Sequence, residues 1–206
     1  MRKVFFVAVL AALVLPTASG AITRYSRENP FYRRTAISGF AGYGLPVGEF
    51  ASNRDGDGNH EQGAFDWSAE IDHFFAPRVS IGVTLSNTTY QDKDIPELET
   101  HLSSFAGLMR YVIVTKWALH PYLRLALGGQ QVQFQDLDAR YRSDSAFMMQ
   151  AGGGLVLMLF DYVGINGQLT FTKGFTENTY VRDADAIVGF DTKYWTFSGG
   201  LSVYFP

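Results

Sequence analysis

Residues 65–73 read FDWSAEIDH. From 65 to 72 the odd positions carry apolar side chains and the even positions carry polar ones: Phe65, Trp67, Ala69 and Ile71 against Asp66, Ser68, Glu70 and Asp72. Successive side chains of a β-strand point to opposite faces, whereas a helix would mix the two sets on one surface. The segment is therefore predicted to be a strand with one apolar face and one polar face.

The same alternation recurs along the chain and predicts eight strands. They cover residues 35–45, 63–75, 79–90, 98–113, 118–134, 145–160, 162–173 and 191–205. Aromatic residues make up 15% of the chain and charged residues only 18%, well below the roughly 25% of an average soluble domain. This composition favours strands and excludes a disordered chain. The absence of cysteine excludes a disulfide scaffold and a thiolate metal site.

Short and long connections alternate between the predicted strands. Tight turns are predicted at 75–78, 114–117 and 160–162, and long polar loops at 46–62, 91–97, 135–144 and 174–190. In an up-and-down barrel this order places every short turn at one rim and every long loop at the other. Transmembrane barrels have this asymmetry.

The composition of the polar faces indicates which face of the sheet is turned inward. These faces consist mostly of Gly, Ser, Thr, Gln and Asn, whereas a water-exposed surface is usually rich in Lys and Glu. The sequence therefore predicts an all-β fold, a closed antiparallel eight-stranded up-and-down transmembrane β-barrel with its apolar face toward lipid. The alternative is a periplasmic lipocalin-like carrier, in which the apolar face would line a cavity for an apolar ligand.

Aromatic residues concentrate near the ends of the predicted strands. One group is placed at the short-turn rim (Phe74, Phe75, Trp117, Tyr122, Phe160, Tyr162, Tyr204 and Phe205), and a second group toward the loop rim (Phe65, Trp67, Tyr90, Phe134, Phe147, Phe171, Tyr194 and Trp195). Amphipathic rings favour the headgroup level of a bilayer. The pattern predicts two aromatic girdles around the barrel.

The first twenty residues are typical of a secretory signal peptide. Arg2 and Lys3 precede an apolar run over residues 4–15, and small residues follow it. A twelve-residue helix spans only about 18 Å, which is too short for a hydrocarbon core of roughly 30 Å. We predict a signal peptide over 1–20, cleaved after Gly20 or Ala21, and a barrel domain over 21–206.

These features resemble the small eight-stranded outer-membrane barrels of Gram-negative bacteria, the OmpA, OmpX and OmpW-like group. The resemblance covers 21–206 and includes the glycine-rich segment 38–48 and the strand–turn–strand of 65–86. The final strand resembles the signal read by the barrel assembly machinery, at Ser198, Gly200, Val203 and Phe205, although the chain ends in Pro206 where the family usually ends in the aromatic residue. The resemblance implies a porin-like cell-envelope protein in outer-membrane lipid, with four surface loops.

Four charged residues are predicted to face the lumen by alternation: Glu70, Asp72, Arg110 and Arg124. Charges in a narrow, partly dry lumen need partners, so a network between these side chains is expected. The interior of an eight-stranded barrel is just filled by side chains. We therefore expect a structural plug, a structural or surface-interaction role, and at most minor passage of small solutes. The alternative for this network is a gate or an ion path.

Other candidate sites are weak, and no catalytic, cofactor or metal site is predicted. Residues 55–60 resemble the start of a calcium loop but lack the required Gly at position six and Glu at position twelve, so a polar surface loop is expected. His101 with Ser103 and Ser104 is the one local candidate for a lipid A-modifying enzyme, and the sequence shows no acidic partner for it. With a net charge of −3, the chain lacks the excess of Lys and Arg that is typical of nucleic-acid-binding proteins. A monomer is expected.

Overall fold

The computed structural model describes residues 30–48, 63–91, 99–135, 140–142, 145–175, 180–181, 186–187 and 192–206. Eight long strands lie in these ranges: β1 (Thr35–Pro46), β2 (Ala64–Phe74), β3 (Val79–Gln91), β4 (Glu99–Val112), β5 (Leu119–Gln135), β6 (Ala146–Phe160), β7 (Val163–Phe175) and β8 (Thr192–Phe205). The predicted bounds agree with these within two residues at each end. The predicted signal peptide and the calcium-like segment 55–60 lie outside the described residues.

The eight strands form one closed antiparallel sheet. Each strand pairs with its neighbours in sequence, and β1 pairs with β8 from Thr35 opposite Phe205 to Pro46 opposite Tyr194. The predicted up-and-down barrel is therefore confirmed. Beyond the barrel wall, Arg140–Arg142 pairs with the end of β5, and Tyr180–Val181 pairs with Ala186–Ile187. In the part of the chain that the structure describes, no helix has the length and apolar character needed to cross a membrane.

The two faces of the wall have opposite chemistry, as the alternation predicts. On β2 every second residue from Ala64 to Phe74 is buried, and every residue between them is exposed. The buried set of the barrel is rich in Ser, Thr, Gln and paired charges, whereas large apolar side chains are exposed on all eight strands. This orientation contradicts the lipocalin-like alternative, which needs the apolar face inside.

The prediction of two aromatic girdles is wrong for five of the rings. Phe74, Tyr90, Tyr122, Tyr194 and Tyr204 are buried inside the barrel. Each occupies an inward position of the alternation. The position along the strand fixes the direction of the side chain, whatever preference a ring has for the membrane interface. Rings that do face outward include Phe75, Trp117 and Phe205 at the short-turn rim and Phe65, Trp67, Phe147 and Trp195 toward the loops. The structure does not describe the side chain of Phe134.

Glycine on the inward face makes room for one of these rings. A Cβ at Gly154 would lie 2.7 Å from both Cζ and Oη of Tyr122, and it would also collide with the carbonyl oxygen of Gly167. Outward on β1, a Cβ at Gly39 would have no atom within 4 Å. Substitution of these two glycines therefore tests whether the interior side chains are packed in contact with one another.

We expect Gly154→Ala to destabilise the barrel by about 1–3 kcal/mol, because overpacking forces side chains and backbone apart. Gly39→Ala is the matched control and should change the free energy of unfolding by less than about 0.5 kcal/mol. Urea unfolding of the refolded protein in detergent micelles measures both. Equal stability of the two variants would contradict a tightly filled lumen.

Candidate functional site in the barrel lumen

The four predicted lumen charges lie together, between the middle of the barrel and the short-turn rim. Arg110 donates from Nη2 to Oε2 of Glu70, and its Nη1 lies 3.4 Å from Oδ1 of Asp72. Arg124 places its Nη2 2.8 Å from Oε1 of Glu70, an ion pair without hydrogen-bond alignment. All four residues are at most 5% exposed. Two guanidinium groups and two carboxylates thus neutralise one another inside the wall.

Small residues on β3 allow this contact to form. β3 lies between β2, which carries the carboxylates, and β4, which carries Arg110. Its inward residues at this level are Ser80, opposite Arg110, and Gly82, opposite Asp72. Because neither fills the lumen with bulk, Arg110 can reach across β3 to β2. Ser80 also donates a hydrogen bond to Asp72.

Neutral groups surround the charges. Tyr122 donates to Oε1 of Gln168 at 3.1 Å, and Nη1 of Arg124 donates to the same oxygen at 3.2 Å. The guanidinium of Arg110 lies 5.1 Å from the ring centre of Tyr122. Buried charges persist only when partners replace the water they lose. The arrangement therefore fixes side chains across the lumen, since it links β2, β4, β5 and β7.

A second layer closes the lumen at the short-turn end. Phe31 is fully buried, and its ring centre lies 5.4 Å from that of Phe74, 5.5 Å from that of Tyr204 and 5.1 Å from that of His120. The backbone before β1 holds this ring in place, because the amide of Arg33 donates to the carbonyl of Phe74 at 3.0 Å. Sequence reasoning missed Phe31, since it precedes the first strand and belongs to no alternating pattern.

A third layer lies toward the loop end. Tyr90 and Tyr194 meet edge to face with ring centres 5.9 Å apart, next to buried Leu102 and Val132. Gln130 donates to Oη of Tyr194 at 3.1 Å. Side chains therefore fill the described lumen at both ends and in the middle.

The predicted assembly-signal residues all lie on β8. Ser198 and Gly200 face inward, and Val203 and Phe205 face outward beside the seam with β1. A Cβ at Gly200 would lie 2.6 Å from Cδ1 of Phe40, so this glycine also makes room for a ring. Recognition by an assembly machinery stays a prediction.

The partners of the His101 side chain differ from those that the sequence predicts. Nδ1 of His101 lies 3.0 Å from Oγ1 of Thr89, and its Nε2 lies 3.4 Å from Oε2 of Glu99. The expectation of no acidic partner is therefore wrong; spacing of two residues along a strand could have indicated Glu99. Ser104 points inward and bonds to Ser86 at 2.5 Å, so it is turned away from the histidine. Among the described residues, no group of three His, Asp or Glu side chains could hold a metal ion.

Solved structures share this fold. Neisserial surface protein A (NspA) is 13% identical, with 83% of this chain and 97% of that chain covered at a TM-score of 0.62. OprG from Pseudomonas aeruginosa is 15% identical, with 84% and 96% covered at 0.54. Ail, the attachment invasion locus protein of Yersinia pestis, is 14% identical, with 84% and 99% covered at 0.51. No family model and no curated protein matches the chain. The likenesses show the fold of small outer-membrane β-barrels.

The charge cluster gives a stability prediction. Arg110→Met leaves Asp72 and one oxygen of Glu70 buried without a cation, and we expect a loss of about 3–5 kcal/mol in unfolding free energy. Adding Asp72→Asn removes the carboxylate that has lost its cation, so that only Glu70 and Arg124 remain as a charged pair. Ser80 can still donate a hydrogen bond to the amide oxygen of the substituted side chain. Urea unfolding should therefore show the double variant to be more stable than the single one. A single variant as stable as the wild type would show that the cluster contributes nothing.

The aromatic seal gives a second prediction. Phe31→Ala should lower the unfolding free energy by about 3–5 kcal/mol, because it removes a fully buried ring. Tyr32→Ala is the matched control, since Tyr32 is the next residue and is exposed. Hydrogen exchange of the Arg33 amide provides a local measure, and it should accelerate in the Phe31 variant alone. Equal acceleration in both variants would contradict a seal formed by Phe31.

Proposed function

We propose that the protein is an integral outer-membrane β-barrel with a filled lumen, and that its role is structural or one of surface interaction. The observation that carries the proposal is the inverted distribution of polarity, with charges inside and large apolar side chains outside. A monomeric soluble protein rarely exposes a continuous apolar surface of this extent. Lipid is the solvent that matches such an exterior.

Strand length supports the same proposal. A tilted strand needs about 9–11 residues to cross the hydrocarbon core, and the eight barrel strands have between 11 and 17 residues. Closure between β1 and β8 satisfies the backbone groups that lipid could not. The protein is proposed to be exported by its signal peptide, inserted by the barrel assembly machinery and monomeric.

The three filled layers argue against a wide pore and against an enzyme in the lumen. The ion pairs balance one another's charge, and aromatic rings lie on both sides of them along the lumen. Passage of small solutes would therefore be minor at most. The four long loops are the proposed place for contact with a surface ligand or partner, because loops on a rigid scaffold carry recognition. NspA is named as a surface protein, which agrees with a role of this kind.

Membrane fractionation tests the location. We expect the protein to stay in the outer membrane after a carbonate wash and to migrate faster in unboiled than in boiled samples, because a closed barrel resists detergent until heated. Recovery in the soluble periplasmic fraction without a mobility shift would contradict the proposal.

Planar-bilayer recording tests the filled lumen. Purified wild-type protein should give no steady, discrete conductance steps, since charged and aromatic side chains occupy the path. The double variant with Phe31→Ala and Arg110→Met removes one ring and one bridging cation, and any conductance should rise only there. Steady steps from the wild type would contradict the plug and favour the ion path.

A further inference from the structure

The outer surface is not apolar all the way up the wall. On β3, β4 and β5 the apolar side chains stop at the level of Leu85, Phe105 and Leu127, and polar side chains follow toward the loops. We call this patch the polar ledge, and it consists of Asn87 and Thr89 on β3, Ser103 and His101 on β4, and Gln131 and Gln133 on β5. The six positions are adjacent in the sheet, since Asn87, Ser103 and Gln131 form one row and Thr89, His101 and Gln133 form the next.

The ledge is organised by its own hydrogen bonds. Nδ2 of Asn87 donates to Oγ of Ser103 at 2.8 Å. Thr89 and His101 are joined at 3.0 Å, and Glu99 holds the other ring nitrogen of His101 at 3.4 Å. These side chains are partly exposed, and their contacts leave further donor and acceptor capacity, since an amide or a hydroxyl offers more than one hydrogen-bonding position.

In an inserted barrel the ledge would lie at the height of lipid headgroups. Asn87 is the ninth residue of β3 from the short-turn end, and Ser103 is the tenth of β4 from the same end. A tilted strand leaves the hydrocarbon after about 9–11 residues. Acyl chains would therefore lie against Leu85 and Phe105, and headgroups would lie against the ledge directly above them.

Aromatic rings border one side of the ledge. On β2, Trp67 lies opposite Asn87 and Phe65 lies opposite Thr89, and both rings are exposed on the outer face. On β6 the outer face carries Phe147, in the row of Phe105 and Leu85, and on β8 it carries Trp195 near the loop end. Among the described strand residues, the outward amides and aliphatic hydroxyls toward the loops are confined to β3, β4 and β5, whereas β7 and β8 carry the paired lysines Lys173 and Lys193 there.

We propose that the polar ledge binds the headgroup of an acylated saccharide lipid of the outer leaflet. Vicinal sugar hydroxyls and acylamide groups match the planar amides and hydroxyls of Asn87, Ser103 and Thr89 in donor and acceptor type. The apolar face of a sugar ring fits against an exposed indole such as Trp67. The acyl chains continue onto the apolar band, which fixes the orientation of the lipid. This inference rests on the proposed insertion in a membrane.

The test uses full-length processed protein in phosphatidylcholine nanodiscs, with and without an acylated glucosamine disaccharide. The readout is the side-chain amide resonance of Asn87 in nitrogen-15 NMR spectra. We expect this resonance to shift and saturate as the glycolipid fraction rises. An unchanged Asn87 resonance in well-inserted protein would overturn the ledge while leaving membrane insertion intact. Failure to enter the nanodisc would instead contradict the proposed function, and the ledge with it.

A matched pair of variants separates recognition from a general interfacial effect. Thr89→Val with His101→Leu removes polar groups from the ledge and should weaken the glycolipid titration about tenfold, the loss expected from one or two hydrogen bonds. Thr35→Val with His73→Leu removes the same two side-chain types from the opposite rim, where Thr35 and His73 are joined at 3.1 Å. That control should titrate like the wild type. Equal weakening by both pairs, or by neither, would overturn the proposal.

Ser103→Ala provides a second, milder change on the ledge. It removes one hydroxyl at an exposed position and leaves the barrel wall intact, so the variant is expected to fold and to show heat-dependent mobility. We expect its glycolipid titration to be weaker than that of the wild type, with the Asn87 amide resonance displaced already in the absence of glycolipid. A titration identical to that of the wild type would count against the ledge.

Discussion

Backbone pairing between β1 and β8 closes the sheet, and closure decides what the other groups of the molecule can do. Twelve residues of β1 face twelve of β8, so neither strand is left as an edge. In hydrocarbon an unpaired amide or carbonyl would cost several kcal/mol, and only a closed sheet avoids that cost. Closure also creates a narrow interior, which the inward-facing side chains of the eight strands fill.

The interior follows from that narrowness. Arg110 can reach Glu70 and Asp72 because Ser80 and Gly82 leave the intervening strand bare. Gly154 and Gly200 have the same relation to the rings of Tyr122 and Phe40. Large and small residues therefore complement one another across the lumen, and the charges are stable because each has a partner in reach. A rigid, filled barrel is suited to present loops and an outer surface.

Much of this arrangement could be predicted from the sequence. The alternation in 65–73 and its repeats is a local signal. The strands, their inward faces and the four lumen charges can therefore be predicted from the sequence. Phe31 cannot, because its burial depends on a turn before β1 that meets Phe74 and His120 only after closure. Residue type predicts the rings of Tyr90 and Tyr194 at the membrane interface, whereas their inward positions in the alternation place them inside. Glu99 lies two residues from His101 on the same outer face, and this spacing indicates the contact less clearly than the alternation indicates the strands.

The central claim is that lipid, and not water or a ligand, contacts the apolar face. Methyl NMR of wild-type protein in nanodiscs tests it without substitution, using Leu123, which is exposed on the outer face, and Leu108, which is buried inside. A nitroxide carried on lipid chains should broaden the methyl signals of Leu123 and leave those of Leu108 sharp. A water-soluble gadolinium chelate should broaden neither. Broadening of Leu108 by the lipid probe, or of Leu123 by the chelate alone, would contradict the account.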